Sequence, residues 1–115
     1  MKFSLAALCV SPILGLCACS SQVSTAKFCT DVNSASVQFA ALQSQATPPL
    51  VQGAAKAMAH LAHEAPSPIK SAVDVEATAY QKWAMTGSNG PLTGNAFSAA
   101  DDQLSTWLHL NCKGH

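Results

Sequence analysis

Hydrophobic residues recur along the chain at helical spacing in four separate segments. At about 100° per residue, apolar positions three or four residues apart lie on one face of a helix. No segment shows the sustained alternation of hydrophobic and polar residues that is typical of a strand. The four apolar faces comprise Phe28, Cys29, Val32, Ala35, Phe39, Leu42 and Ala46; Val51, Ala54, Met58, Leu61 and Ala65; Ile69, Val73, Tyr80 and Trp83; and Phe97, Ala100, Leu104, Trp107 and Leu108.

The residues between these segments predict where the helices begin. Thr47 and Ser67 are each followed by proline, and a capping residue before a proline at the first helical position is a typical helix start. For the fourth helix, Ser98 and Asp101 fit a capping box, and Asn95 fits the cap of a slightly longer helix. Four amphipathic helices with short connections predict an all-α fold, an antiparallel four-helix bundle. We expect its many alanines to let the helices approach closely, and the two tryptophans to fill most of the remaining core.

Composition narrows the classes of function. The chain has 115 residues, enough for one small domain, and its formal net charge is zero. Its six basic residues are all lysines, so it has neither a basic surface for nucleic acid nor arginines for a bidentate phosphate clamp. We therefore expect no nucleic-acid partner.

The first residues have the layout of a secretory signal. Lys2 supplies one positive charge, and two short apolar runs follow on either side of Pro12. The apolar stretch is too short to be a comfortable membrane-spanning helix, which needs about 20 residues. We therefore expect this segment to direct export and to be removed.

The end of the signal, Leu16-Cys17-Ala18-Cys19, resembles the lipobox of bacterial lipoproteins, in which an aliphatic residue and two small residues precede the lipidated cysteine. The resemblance covers about the first twenty residues, and Cys17 stands where Ala, Ser or Thr is more usual. It implies that Cys19 carries a thioether-linked diacylglycerol and becomes the new N-terminus. The alternative is ordinary cleavage at a small-x-small site, which would release a soluble protein beginning at Ser21.

These patterns divide the chain into a signal peptide over residues 1–18, a lipidated tether over residues 19–25 and an α-helical domain over residues 26–115. Two or three acyl chains hold a protein firmly on a membrane. The resemblance therefore implies a cell-envelope protein anchored on the extracytoplasmic side. In a host with two membranes, Ser20 resembles the residue that follows the cysteine in outer-membrane lipoproteins.

Cysteine usage agrees with export. Cys9 and Cys17 leave with the signal and Cys19 takes the lipid, so Cys29 and Cys112 remain. A pair of cysteines in an exported chain predicts a disulfide, here closing a loop of about 80 residues. Two antiparallel helix pairs would bring the start of the first helix and the end of the fourth together, which suits this bond. Two buried free thiols are the alternative.

The densest group of ligand-type side chains is His60, His63 and Glu64, which lie within one helical turn. The spacing occurs in metal sites, but zinc would need a further ligand from elsewhere, and the order differs from the His-Glu-x-x-His motif of metalloproteases. His60 lies about 180° from Val51 around the helix, and we place His63, Glu64 and Lys56 on the same outer side. A solvated polar face explains them, so we predict no metal site and no cofactor.

Glu76 falls between Val73 and Tyr80 on the apolar face of the third helix. Buried there, a carboxyl group would have a raised pKa. The favoured interpretation is that it lies at the edge of the face, reaches solvent, or bonds Tyr80 or a lysine on a neighbouring helix. Asp101 and Asp102 diverge by about 100° and are explained by the N-terminus of the fourth helix.

No constellation of a nucleophile, a base and an orienting group is present, so we predict that the protein is not an enzyme. The favoured function is a lipid-anchored envelope protein whose helical domain binds something or serves a structural role. It would act through a partner protein, the cell wall or a small apolar ligand. The alternative is a secreted or periplasmic carrier of a lipid or haem, which residues inside the bundle would contact: Met58, His60, Glu76 and Tyr80.

Overall fold

The computed structural model of the protein describes residues 24–112. This part of the chain is helical and contains no strand. Its helices are α1 (Thr25–Ser44), α2 (Pro48–Glu64), α3 (Lys70–Thr86) and α4 (Asn95–Asn111). The all-α prediction is confirmed. The predicted signal peptide, Cys19 and most of the tether lie outside the described residues, and α1 begins at Thr25, the last residue of that tether.

The predicted helix start at Thr47 is confirmed in position, and α1 begins at a cap that the sequence analysis did not single out. The Ser24 hydroxyl caps α1 by accepting a hydrogen bond of 3.1 Å from the Lys27 backbone N–H. Thr47 precedes α2, with Pro48 in the first helical position, although the Thr47 side chain makes no capping hydrogen bond. Because proline has no backbone N–H, this end of α2 has fewer unpaired N–H groups for a capping side chain to accept from.

The predicted start at Ser67 is wrong, and for α4 the alternative at Asn95 is correct to within one residue, whereas the one at Ser98 is wrong. Ser67 opens a short 3₁₀ turn, closed by a 3.0 Å hydrogen bond from the Ile69 N–H to the Pro66 carbonyl, and α3 begins only at Lys70. In α4, the Ser98 N–H already donates to the Gly94 carbonyl at 3.1 Å, so Ser98 lies inside the helix rather than before it. The helix begins at Asn95 itself, with Gly94 as its cap.

The core is built mainly from α2 and α3. All five residues of the predicted apolar face of α2 are buried. Phe28 of α1 and Val73 of α3 are fully buried at the centre. Trp107 contacts the Phe28 ring edge-on, with ring centroids 5.8 Å apart. Both tryptophans are only half-buried, so the prediction that they fill the core is wrong; buried alanines allow close packing there instead.

A disulfide joins Cys29 near the start of α1 to Cys112 at the end of α4. The predicted pairing is confirmed, with 83 positions between the two cysteines and 5.5 Å between their Cα atoms. In the loop-entropy account, a cross-link over such a distance stabilises a domain by up to about 4–5 kcal/mol. Among the described residues, no helix is both long and apolar enough to cross a membrane.

Candidate functional site

Two pairs of charged or ionisable residues meet where α1 packs against α2. Lys27 and Asp31 are four residues apart on α1, and His60 and Glu64 are four residues apart on α2. Side chains four residues apart lie on one face of a helix, so each helix presents its pair as a unit. We call these four residues the α1–α2 polar cluster.

Two carboxylate oxygens and two nitrogens form the centre of the polar cluster. The Lys27 Nζ lies 2.7 Å from Asp31 Oδ2 and 3.7 Å from Glu64 Oε2. The His60 Nε2 lies 3.4 Å from Glu64 Oε2 and 3.8 Å from Asp31 Oδ2. The same oxygen of each carboxylate therefore faces both nitrogens, and the four groups surround one small volume.

Glu64 is the buried member of the polar cluster. Only 4% of its side chain is exposed, whereas 64% of the His60 side chain is exposed. Its Oε1 is fully buried and has no hydrogen-bond partner within residues 24–112. The prediction that Glu64 lies on the solvated outer face of α2 is wrong, because α1 covers this flank of the helix. His63 and Lys56 are exposed as expected, and His63 is not part of the cluster.

Burial and neighbouring groups shift the pKa values of three members of the polar cluster. Burial, followed by the adjacent Asp31, raises the pKa of Glu64 above its ordinary value. Hydrogen bonding with Glu64 and with Lys27 lowers the pKa of Asp31, and the hydrogen bond to Asp31 raises the pKa of Lys27. The surroundings therefore stabilise the ionised form of Asp31, which bonds Lys27, and disfavour the ionised form of Glu64.

A second buried carboxyl group lies on α3. Glu76 is 5% exposed, and its Oε2 is buried without a hydrogen-bond partner in the part of the chain that the structure describes. Burial, followed by the charge of Asp101, raises the pKa of Glu76 to about 7. The favoured expectation, that Glu76 lies at the edge of the apolar face and reaches solvent, is wrong. The neighbouring helices cover this position, which a wheel of one helix does not reveal.

The surroundings of Glu76 are aromatic and acidic. Tyr80, one turn along α3, contacts the rings of Phe39 at 5.4 Å and Phe97 at 6.1 Å, measured between centroids. Burial, followed by the charges of Glu76 and Asp101, raises the pKa of Tyr80. Asp101 does not act at the N-terminus of α4 as predicted, because α4 starts six residues earlier and the effect of the helix dipole fades within the first turn.

The residues predicted to line a ligand chamber do not come together around one. Met58 is buried in the packed core, and His60 is exposed on the flank of α2. A cleft of about 390 Å³ between α3 and α4 opens to solvent, with Val75, Lys82 and Phe97 on its walls. A second open cleft, of about 450 Å³, lies between α1 and α2 and is lined in part by Asp31 and His60.

Sequence reasoning found His60 and Glu64 but missed their partners on α1. The available signal was a second charged pair at a spacing of four, Lys27 and Asp31. Spacing alone does not show which faces of two helices meet. Comparisons with protein-family models, with curated proteins and with solved structures found no match for this chain.

Proposed function

We propose that the protein is a lipid-anchored component of a bacterial cell envelope, with Cys19 as the lipidated residue and residues 1–18 as its signal peptide. The observation that carries the proposal is the bond between Cys29 and Cys112. Structural disulfides persist in oxidising compartments and are rare in the cytosol of ordinary bacteria. The lipobox-like sequence Leu16-Cys17-Ala18-Cys19 then accounts for how an exported chain is retained at the membrane.

We further propose that the four helices form an antiparallel bundle. The disulfide supports this arrangement, because an even number of antiparallel helices returns the end of the last helix to the start of the first. The packing of α1 on α2, of α2 on α3 and of α3 on α4, with α1 also touching α4, supports it as well. Such a bundle is a rigid scaffold that presents its outer faces to other envelope components.

The anchor would place one end of the bundle close to the membrane. Cys19 precedes Thr25 by six residues, so the lipid lies at most about 20 Å from the start of α1. Lys27 and Asp31 belong to the first turns of α1, so the polar cluster would face the membrane-proximal region. The role of the domain is then binding or structural support at that surface, through an envelope protein or the cell wall.

The alternative, a carrier of a lipid or haem inside the bundle, has less support. Its predicted contact Met58 is packed among apolar side chains, and the clefts beside His60 and Phe97 are open to solvent. A carrier of this kind needs a concave site that buries most of the ligand surface.

Labelling of a bacterial host with an alkyne-bearing fatty acid tests the anchor. We expect the full chain to carry the label and to fractionate with membranes, and Cys19→Ala to lose both properties. Cys17→Ala is the matched control, because alanine suits the lipobox position that Cys17 occupies, and it should keep the label. Equal labelling of the Cys19→Ala variant, or an unlabelled wild-type chain, would rule out Cys19 as the anchor.

A further inference from the structure

We propose that the α1–α2 polar cluster is a divalent metal site in which Asp31, His60 and Glu64 supply the ligands to a zinc-like ion. The ligand atoms of these three residues all lie within 4.8 Å of one another. Two of the residues are those that the sequence singled out on α2, and the third comes from α1 in place of His63. The inference goes beyond the lipid anchor and does not depend on it.

The distances between the ligand atoms suit a tetrahedral ion. Zinc binds histidine nitrogen and carboxylate oxygen at about 2.0–2.2 Å, so two ligands at the tetrahedral angle are separated by about 3.4 Å. The His60 Nε2 lies 3.4 Å from Glu64 Oε2 and 3.8 Å from Asp31 Oδ2. Both distances from His60 are therefore close to the tetrahedral separation, and an ion would draw together the two carboxylate oxygens, which lie within 4.8 Å of each other.

The Glu64 carboxylate supplies an independent reason to expect a cation. It is buried, it reaches His60 through Oε2, and its Oε1 has no partner among the described residues. Leaving a buried acceptor unsatisfied costs about 1–3 kcal/mol, and more for a charged group. A divalent ion bound by both oxygens of Glu64 would give Oε1 the partner that it lacks among the described residues.

The charge balance of the polar cluster also favours a cation. Two carboxylates face one lysine ammonium group, so the cluster has a net negative charge when His60 is neutral. Neutral imidazole is also the form that binds a metal. Lys27 forms an ion pair with Asp31, but its side chain is largely exposed. It can therefore turn towards solvent when a metal ion binds Asp31. Lys27 therefore acts as a competitor of the metal.

The donor set indicates the class of ion. One imidazole nitrogen and two carboxylate oxygens suit first-row divalent metals such as zinc, whereas calcium takes six to eight oxygen ligands. The open cleft between α1 and α2 reaches Asp31 and His60, so an ion and a completing water can enter from solvent. Because the ligands come from two helices, the ion would fasten α1 to α2.

Zinc binding to the full chain tests the proposal. The protein is purified in mild detergent with its disulfide intact and its free thiols alkylated, and zinc affinity is measured by competition with a chromophoric chelator. We expect one zinc ion per chain. Asp31→Asn and His60→Ala each remove a direct ligand and should weaken zinc binding at least about 10-fold. Residues that only hydrogen-bond to a metal ligand already contribute about 10–100-fold to metal affinity.

Two variants separate this site from general affinity of surface histidines. His63→Ala removes an exposed histidine from the same turn of α2 and should leave the affinity unchanged. Lys27→Gln removes the competing ammonium group and should tighten binding by about 2–5-fold, the range expected for an exposed ion pair. The proposal is wrong if zinc does not bind at micromolar concentrations, or if His60→Ala and His63→Ala weaken binding equally.

Discussion

The two buried glutamates of this protein have opposite surroundings. Glu64 lies among Lys27, His60 and Asp31, so an ammonium group and an imidazole reach its carboxylate. Glu76 lies on α3 beside Tyr80, and the charge that acts on it most is that of another acid, Asp101. Burial raises the pKa of both glutamates, but Glu64 has a lysine and an imidazole beside it, whereas the charge beside Glu76 is a second acid.

The largest expected effect concerns the proton on Glu76. Its pKa is about 7 in the folded protein and near the ordinary value when unfolded, so the folded state binds more protons in between. The contribution of Glu76 to stability is therefore greatest below its pKa in the unfolded chain, and it is lost as the pH rises through about 7. Between pH 5 and pH 8.5 we expect the free energy of unfolding to fall by about 3 kcal/mol from this group.

Urea denaturation at the two pH values, with a chelator present, measures this loss. Glu76→Gln should remove most of the pH dependence, whereas Asp74→Asn, which changes an exposed acid on the same helix, should leave it in place. The shifts of Asp31 and Lys27 act outside this window, because Asp31 loses its contribution in acid and Lys27 in strong base. The raised pKa of Glu64 acts in the same direction as that of Glu76, so the contribution of Glu76 is read as the difference between the wild type and Glu76→Gln. An unchanged pH dependence in Glu76→Gln would contradict the assignment.

The next effect concerns the proposed ion at Glu64. At about 100 times its dissociation constant, zinc should stabilise the fold by about 2.7 kcal/mol. For a domain of this size, the melting temperature should rise by about 10 °C or more. Calorimetry should show the shift in the wild type and in Glu76→Gln but not in Glu64→Gln. A similar shift in all three proteins would mean that the ion binds elsewhere.

A smaller effect should distinguish two adjacent acids on α4. Asp101 raises the pKa of Glu76, whereas neighbouring helix positions diverge by about 100°, so Asp102 does not share this role. In Asp101→Asn we expect the pKa of Glu76, followed by carboxyl NMR, to move back towards its ordinary value while staying raised by burial. The corresponding gain in stability at pH 8.5 should be below about 1 kcal/mol, and Asp102→Asn should show neither change.

The smallest effect concerns Tyr80, the one tyrosine of the chain, whose ionisation is therefore read directly from ultraviolet absorbance. Burial is the main cause of its raised pKa, and the charge of Glu76 comes second. In Glu76→Gln the pKa of Tyr80 should fall slightly and remain above its ordinary value. A pKa unaffected by Glu76→Gln would show that the two side chains do not interact.

The helices were predictable because the spacing of apolar residues is a local signal. The disulfide was predictable because few cysteines are available to pair. Apolar residues repeat at helical spacing on α2 from Val51 to Leu61, and every one of these predicted face positions is buried. Two cysteines remain once the proposed signal and lipidated residues are set aside, which leaves one pairing. By contrast, the start of α4 was ambiguous because Ser98 and Asn95 are both residue types that cap helices, and the helix begins at Asn95.

The two glutamate sites were harder to predict because each depends on how helices pack. On a helical wheel Glu64 lies about 100° from the centre of the apolar face of α2, where the wheel does not show that α1 covers this flank. The wheel also places Glu76 on an apolar face without showing whether a neighbouring helix covers it, and α4 brings Asp101 near it. Periodicity describes one helix at a time, whereas these environments arise between two.

The intact mass of the protein from the membrane fraction of a bacterial host, before and after reduction, tests the proposed function most directly. We expect residues 19–115 with acyl groups attached at Cys19, and a gain of about 2 Da when the bond between Cys29 and Cys112 is reduced. An unacylated chain that begins near Ser21 in the soluble fraction would contradict the anchor and identify a secreted domain.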